Sequence, residues 1–148
     1  MRKLTGQILW LLIAIYALAA ILPPLFPKLG SPINAAINTV TLCAFALIHA
    51  SIRYRARDIA VFVVVCLVIS TFMENLSIMT GFPFGQYYYS DALGPKLFLV
   101  PLLIGPAYFG TGYVAWTMAN VFLDGADRRK DRLSVVGLPV IAAFLMAS

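Results

Sequence analysis

Six carboxylates occur in the 148-residue chain, and one of them, Glu74, lies inside a long apolar run. An ionisable group at the middle of a bilayer costs at least about 2.5–3.5 kcal/mol, so its presence there needs a reason. Ser70, Glu74 and Ser77 follow i, i+4, i+7 spacing and share one face of a helix, with Thr71 and Asn75 beside it. A second stripe at the same spacing, Asn34, Asn38 and Thr41, occupies the preceding apolar run. Burial disfavours the charged form of a carboxyl, which suits such a group to proton donation. Glu74 is therefore the expected proton donor or relay. The plainer function of both stripes is to join helices by hydrogen bonds.

Downstream of Glu74 the chain reads Gly81-Phe82-Pro83-Phe84-Gly85-Gln86-Tyr87-Tyr88-Tyr89-Ser90-Asp91-Ala92-Leu93-Gly94-Pro95. Gly and Pro punctuate this stretch, so a shaped turn is expected rather than a helix. Five aromatic residues fall within eight positions. They suit an interfacial belt, and their ring faces can also stabilise a cationic intermediate. The hydroxyls of Tyr87 and Tyr89, with Asp91, can hold or orient a water molecule.

The elements that position these groups follow from composition. The chain is 61% hydrophobic and 11% charged, with a mean hydropathy of +0.90. Soluble domains carry about 25% charged residues. Apolar runs at about 8–26, 33–52, 59–80 and 97–123 each match the ~20 residues that cross about 30 Å of hydrocarbon. Without water each must be helical. A fifth run, 133–148, is barely long enough and ends in Ala147-Ser148 without a polar flank. The expected fold is all-α: one polytopic transmembrane helical bundle over 1–148, with four full spans, a short fifth and an aromatic loop at 81–96. The abrupt end suggests a piece of a longer protein. The first run follows Arg2 and Lys3 but is too long for a signal peptide and lacks a small-residue cleavage site.

Charge sets the expected orientation. Arg2, Lys3, Arg53, Arg55, Arg57, Arg128, Arg129, Lys130 and Arg132 fall in alternate loops, against Lys28 and Lys96 in the others. The positive-inside bias places the amino terminus in the cytoplasm and loop 81–96 outside. The net charge of +5 is then a by-product of anchoring rather than a sign of nucleic-acid binding. Span two enters and span three leaves on the outer side, so their polar stripes are expected to form an outer-leaflet pocket roofed by the loop. Cys43 and Cys66 read as small buried side chains. The solitary His49 reads as a structural hydrogen-bonding group, and Tyr113 and Trp116 as interfacial anchors. Nothing in the spacing suggests a metal site.

Glu74, the Gly that follows it, Pro83-Phe84-Gly85, Tyr87, Tyr89, Leu93-Gly94-Pro95 and Pro101, in this order and spacing, resemble the carotenoid biosynthesis membrane proteins. These include carotenoid 1,2-hydratases of the bisanhydrobacterioruberin hydratase type. The resemblance covers roughly 59–148, and family members continue past this point with a Trp-Asp segment and an Asp-Pro pair. It implies a hydratase (a hydro-lyase) of the cell inner membrane, acting on a terminal isoprenoid double bond of an acyclic or monocyclic carotenoid. Protonation gives a tertiary cation that water captures, a reaction that calls for no redox cofactor or metal. Glu74, Asp91, Tyr87 and Tyr89 are then the expected catalytic residues. Asn38, Phe82, Phe84 and Gly85 are the expected substrate-binding ones. The expected partners are the bilayer, the carotenoid, and other carotenoid enzymes or a second copy of the chain. Two other functions fit the same residues: a small transporter using Glu74 as a relay, and a non-catalytic membrane subunit or inactive fragment.

Overall fold

The computed structural model describes residues 2–26, 32–125, 131 and 133–147. Three helices carry most of the apolar sequence: α1 (Arg2–Leu25), α2 (Pro32–Arg53) and α3 (Ala56–Thr80). Each is long and apolar enough to cross a membrane. Their large apolar side chains point outward, with Trp10 73% exposed and Phe72 61%. Water would penalise that surface and hydrocarbon does not. The chain is an all-α membrane protein.

Past α3 the chain is irregular from Gly81 to Pro95, apart from a single 3₁₀ turn at Asp91–Leu93. A two-residue antiparallel ladder follows, β1 (Lys96–Leu97) with β2 (Val100–Pro101). Then come α4 (Ile104–Phe122), a π-helical turn at Leu133–Gly137 and α5 (Leu138–Ala147).

The expected fourth span at 97–123 is thus corrected at its start, because 97–103 is a hairpin and turn. Pro95, Pro101 and Pro106 explain this. Proline lacks a backbone donor and biases the residue before it away from the α region. What remains of α4 is 19 residues, rich in Gly, Thr and Tyr. Among the described residues only α1, α2 and α3 are both long and apolar enough to span, so four full spans are not seen. The fifth segment is a short apolar helix, as expected. Of the charges that set orientation, Lys28, Arg128, Arg129, Lys130 and Arg132 lie outside the described residues.

Packing divides the chain into two units, Met1–Phe109 and Gly110–Ser148. In the first, α1 and α2 pack most extensively. Asn34 Nδ2 and Asn38 Nδ2 donate to the Ala19 carbonyl at 2.9 and 3.3 Å, so this stripe joins helices. Cys43 Sγ donates to the Pro106 carbonyl, and His49 stacks on Phe45 with centroids 5.7 Å apart. In the second unit, Ala119, Leu138 and Ala142 form a small core against which Trp116 and Leu123 pack. Asp131 accepts from the Ser134 amide and hydroxyl. Tyr113 is buried, and so does not act as an interfacial anchor.

The stop of α3 matters most for the site. Gly81 caps it in the left-handed region at φ +80°, its amide donating to the Ser77 carbonyl. A Cβ there would also lie 3.2 Å from Gln86 Cγ. A left-handed alanine costs about 1–2 kcal/mol. Gly81→Ala is expected to lower the thermal midpoint in detergent accordingly, and Gly81→Asn to lower it less, because Asn tolerates this conformation. Equal midpoints for Gly81→Ala and the parent would refute the capping argument.

Candidate functional site

Glu74 lies two turns before the end of α3, on the face that also carries Ser70 and Ser77. All three are buried, and Glu74 is 3% exposed. The loop returns over this face because its start is clipped to the helix. The Ser77 hydroxyl, fully buried, accepts from the Phe84 amide at 3.0 Å and donates to the Gly85 carbonyl at 3.2 Å. The Phe82 amide donates to Thr80 Oγ1 at 3.2 Å. The Gly85 amide, at a residue with φ +94°, closes the turn onto the Gly81 carbonyl at 2.9 Å.

Beyond this clip the chain is not helical, so side chains two apart can face the same way. Tyr87 and Tyr89 both turn inward while Tyr88, between them, is 86% exposed. The Tyr87 and Tyr89 hydroxyls donate to Glu74 Oε2, the latter at 2.9 Å. Their rings meet edge to face, with centroids 5.5 Å apart, a favoured aromatic geometry. From the start of α4, the Tyr108 hydroxyl donates to the other carboxyl oxygen, Oε1, at 2.5 Å. That length falls in the range of charge-assisted O–H···O⁻ bonds.

Three phenols therefore converge on one buried carboxyl. With all three donating, the carboxyl acts purely as an acceptor, the role of a carboxylate. A protonated carboxyl would instead donate one hydrogen bond, accepted by a phenol oxygen. The two carboxyl oxygens and three phenol oxygens share one network, along which a proton can shift without solvent. Partial burial pushes the Tyr87 phenol up to about 12, with the bond to Glu74 and its charge adding to the effect. Tyr89 is raised for the same reasons. Both remain neutral donors well above neutral pH.

The other expected site residues are placed differently. The Asp91 side chain is fully exposed and pairs with Lys96 at 2.8 Å, and this bond and charge hold its carboxyl below the usual range. Lys96 Nζ also donates to the Tyr89 carbonyl at 2.7 Å, so the pair steadies the loop from outside. Phe82 and Phe84 are exposed. Gly85 contributes its carbonyl to the Ser77 clip. Asn38 bonds to α1, and its Oδ1 is buried without a partner. The structure thus brings together Glu74, Tyr87 and Tyr89 and leaves Asp91, Phe82 and Phe84 at the surface. Tyr108 was not anticipated. It lies 34 residues from Glu74, and the one signal for it is general: a Tyr inside an apolar run usually needs a partner for its hydroxyl.

Neither a curated protein nor a solved structure matches the chain. The family model described as carotenoid biosynthesis protein matches residues 33–148, and the chain belongs to that family.

Proposed function

We propose that this carotenoid biosynthesis protein hydrates a terminal isoprenoid double bond of its carotenoid. The observation that carries the reading is the buried Glu74 carboxyl with the Tyr87, Tyr89 and Tyr108 hydroxyls on its two oxygens. In the reaction, the π electrons of the double bond take a proton from this cluster and form a C–H bond at the less substituted carbon. The tertiary carbon becomes cationic. A water lone pair forms the C–O bond there, and the surplus water proton returns to the cluster. The sum is addition of one water across C=C, with no change in electron count.

Each group has a physical task in this scheme. Glu74 holds or receives the proton and, when ionised, stabilises the cation through a short, poorly screened distance. The phenols relay protons and present ring faces to the positive charge. Tyr87 and Tyr89, reaching Glu74 from the loop, are the groups placed to orient water. Asp91 stays outside the scheme as the partner of Lys96. The positive-inside bias supports an amino terminus in the cytoplasm and a loop at the outer face of the inner membrane.

Three measurements test this. In a carotenoid-producing host, Glu74→Gln is expected to lower formation of the hydroxylated carotenoid by about 10²–10⁴-fold, the usual worth of a positioned acid, with the protein still present in membranes. Parental turnover in Glu74→Gln would rule the proposal out. Tyr108→Phe removes one relay hydroxyl and should reduce turnover by about tenfold or more, whereas Tyr88→Phe, on the outward face, should leave it unchanged. If both behave alike, the cluster is not the site. In membranes assayed against pH, no alkaline limb is expected near pH 10, the ordinary phenol value, because Tyr87 loses its proton only toward about 12. A limb at pH 10 that disappears in Tyr87→Phe would contradict the geometry.

A further inference from the structure

Beside the cluster lie two adjoining spaces that the chemistry above does not use. One is a groove of about 550 Å³ along the outward side of α3, with Leu67, Val68 and Phe72 on one wall and the hairpin residues Leu97–Leu99 on the other. The other, of about 250 Å³, is a crevice between α3 and the start of α4, bounded by Thr71, Val100, Gly105 and Pro106. Leu67, Thr71 and Leu97 line both, so the spaces adjoin. Thr71 precedes Glu74 by three residues and Gly105 precedes Tyr108 by three, a spacing that keeps side chains on one helix face. The crevice therefore ends about one helical turn from the Glu74–Tyr108 bond.

The lining says what can occupy this path. No residue lining either space is charged. The most polar of them, Asn75, is turned to the backbone: its Nδ2 donates to the Thr71 carbonyl at 2.7 Å and its Oδ1 accepts from the Leu99 amide at 3.0 Å. The outer rim is apolar and exposed, with Phe98 81% and Met79 75% accessible, on a helix apolar enough to sit in hydrocarbon. A phospholipid would find nothing here for its headgroup. A long, uncharged chain dissolved in the bilayer meets every condition.

We propose that the carotenoid enters sideways from the bilayer along this groove, with its chain between α3 and the 97–99 hairpin and its reacting end in the crevice at Gly105. Binding rests on the groove and the family role; only the choice of which end lies inward rests on the hydration reading. Gly105 is the gauge of the crevice. A Cβ there would lie 2.8 Å from Leu67 Cδ2, so Gly105→Ala must displace a side chain that lines both spaces.

Fluorescence in lipid nanodiscs tests this, because polyenes quench tryptophan at close range. Two forms of the full chain are compared: one keeping only Trp10, on the outward face of α1, and one carrying only Phe98→Trp, with Trp10 and Trp116 changed to Phe. Titration with an acyclic carotenoid is expected to quench the Phe98→Trp form saturably and several-fold more than the Trp10 form. Gly105→Ala in that background should weaken the saturating phase roughly tenfold. Leu99→Trp replaces the reporter if Phe98→Trp does not fold. Equal, linear quenching at both positions would mean carotenoid merely dissolved in lipid and would overturn the proposal. So would bromolipid that quenches the hairpin reporter preferentially and is not displaced by carotenoid, which assigns the groove to an acyl chain. Unchanged binding in Gly105→Ala overturns the placement of the end at Gly105. Saturable quenching without any hydroxylated product upholds the groove and counts against hydration instead.

Discussion

A carboxyl group placed inside an apolar helix must be solvated by the protein itself. Glu74 meets that constraint through three phenol donors, two from one loop and one from α4. The magnitudes make the arrangement self-consistent. An ionisable group at mid-membrane costs about 2.5–3.5 kcal/mol or more, and a hydrogen bond to a charged group contributes about 1.5–3 kcal/mol. One such bond offsets the cost at best, and three together exceed it. The rest of the first unit serves to keep those three hydroxyls in reach. Gly81 ends the helix, Ser77 and Thr80 pin the loop, Lys96 holds the Tyr89 backbone, and the hairpin delivers α4 with Tyr108 facing inward.

This requirement explains why so much of the loop is fixed by groups that never touch the carboxyl. Ser77 is fully buried, and its hydroxyl holds two backbone atoms of the loop, the Phe84 amide and the Gly85 carbonyl. Such a clip sets the path of the chain through its backbone. The loop can then present Phe82, Phe84 and Tyr88 outward, where an apolar interface accepts them, while alternate tyrosines turn in. Helix joining by polar side chains, the plainer reading of both stripes, holds for Asn34 and Asn38, whose amides reach Ala19. It does not account for Glu74, because a neutral Gln or Asn would join helices without a charge to solvate.

What was legible in the sequence divides along the same line. Long apolar runs announced α1, α2 and α3, because helix is the only backbone a bilayer permits. The isolated acid and the tyrosine-rich loop pointed to Glu74, Tyr87 and Tyr89, because an internal charge and a Gly/Pro framework are both unusual. Tyr108 was hidden, because pairing across 34 residues leaves no local pattern. Asp91 was misleading for a similar reason. Its type suits catalysis, but a lysine five residues on gave it a nearer partner in the open. Hydropathy places the start of α4 too early, because it does not register the prolines that turn 97–103 into a hairpin. The resemblance to the family, for its part, is carried by order and spacing from Glu74 through the loop to Pro101, and the family match extends over 33–148.

On the hydration reading, the site must join two reactants that avoid each other, water and a polyene. The fold offers them different approaches. The loop side carries the exposed Asp91 and its partly buried partner Lys96, beside the tyrosines that reach the acid. The α3 side carries a groove with no charged lining. Water arriving by the first route meets hydroxyls before it meets the cation. A chain arriving by the second meets only hydrocarbon until its end stands near Glu74. Because the carboxyl already has its donors, it needs no water of its own, and the space around it can stay dry until the reacting water is bound. A tertiary cation formed there is shielded from bulk solvent and faces a carboxylate and aromatic rings, the groups that lower its energy most in a medium of low dielectric. The cost of burying Glu74 would thus be the source of its catalytic effect, since the dryness that makes the charge expensive also makes its field strong.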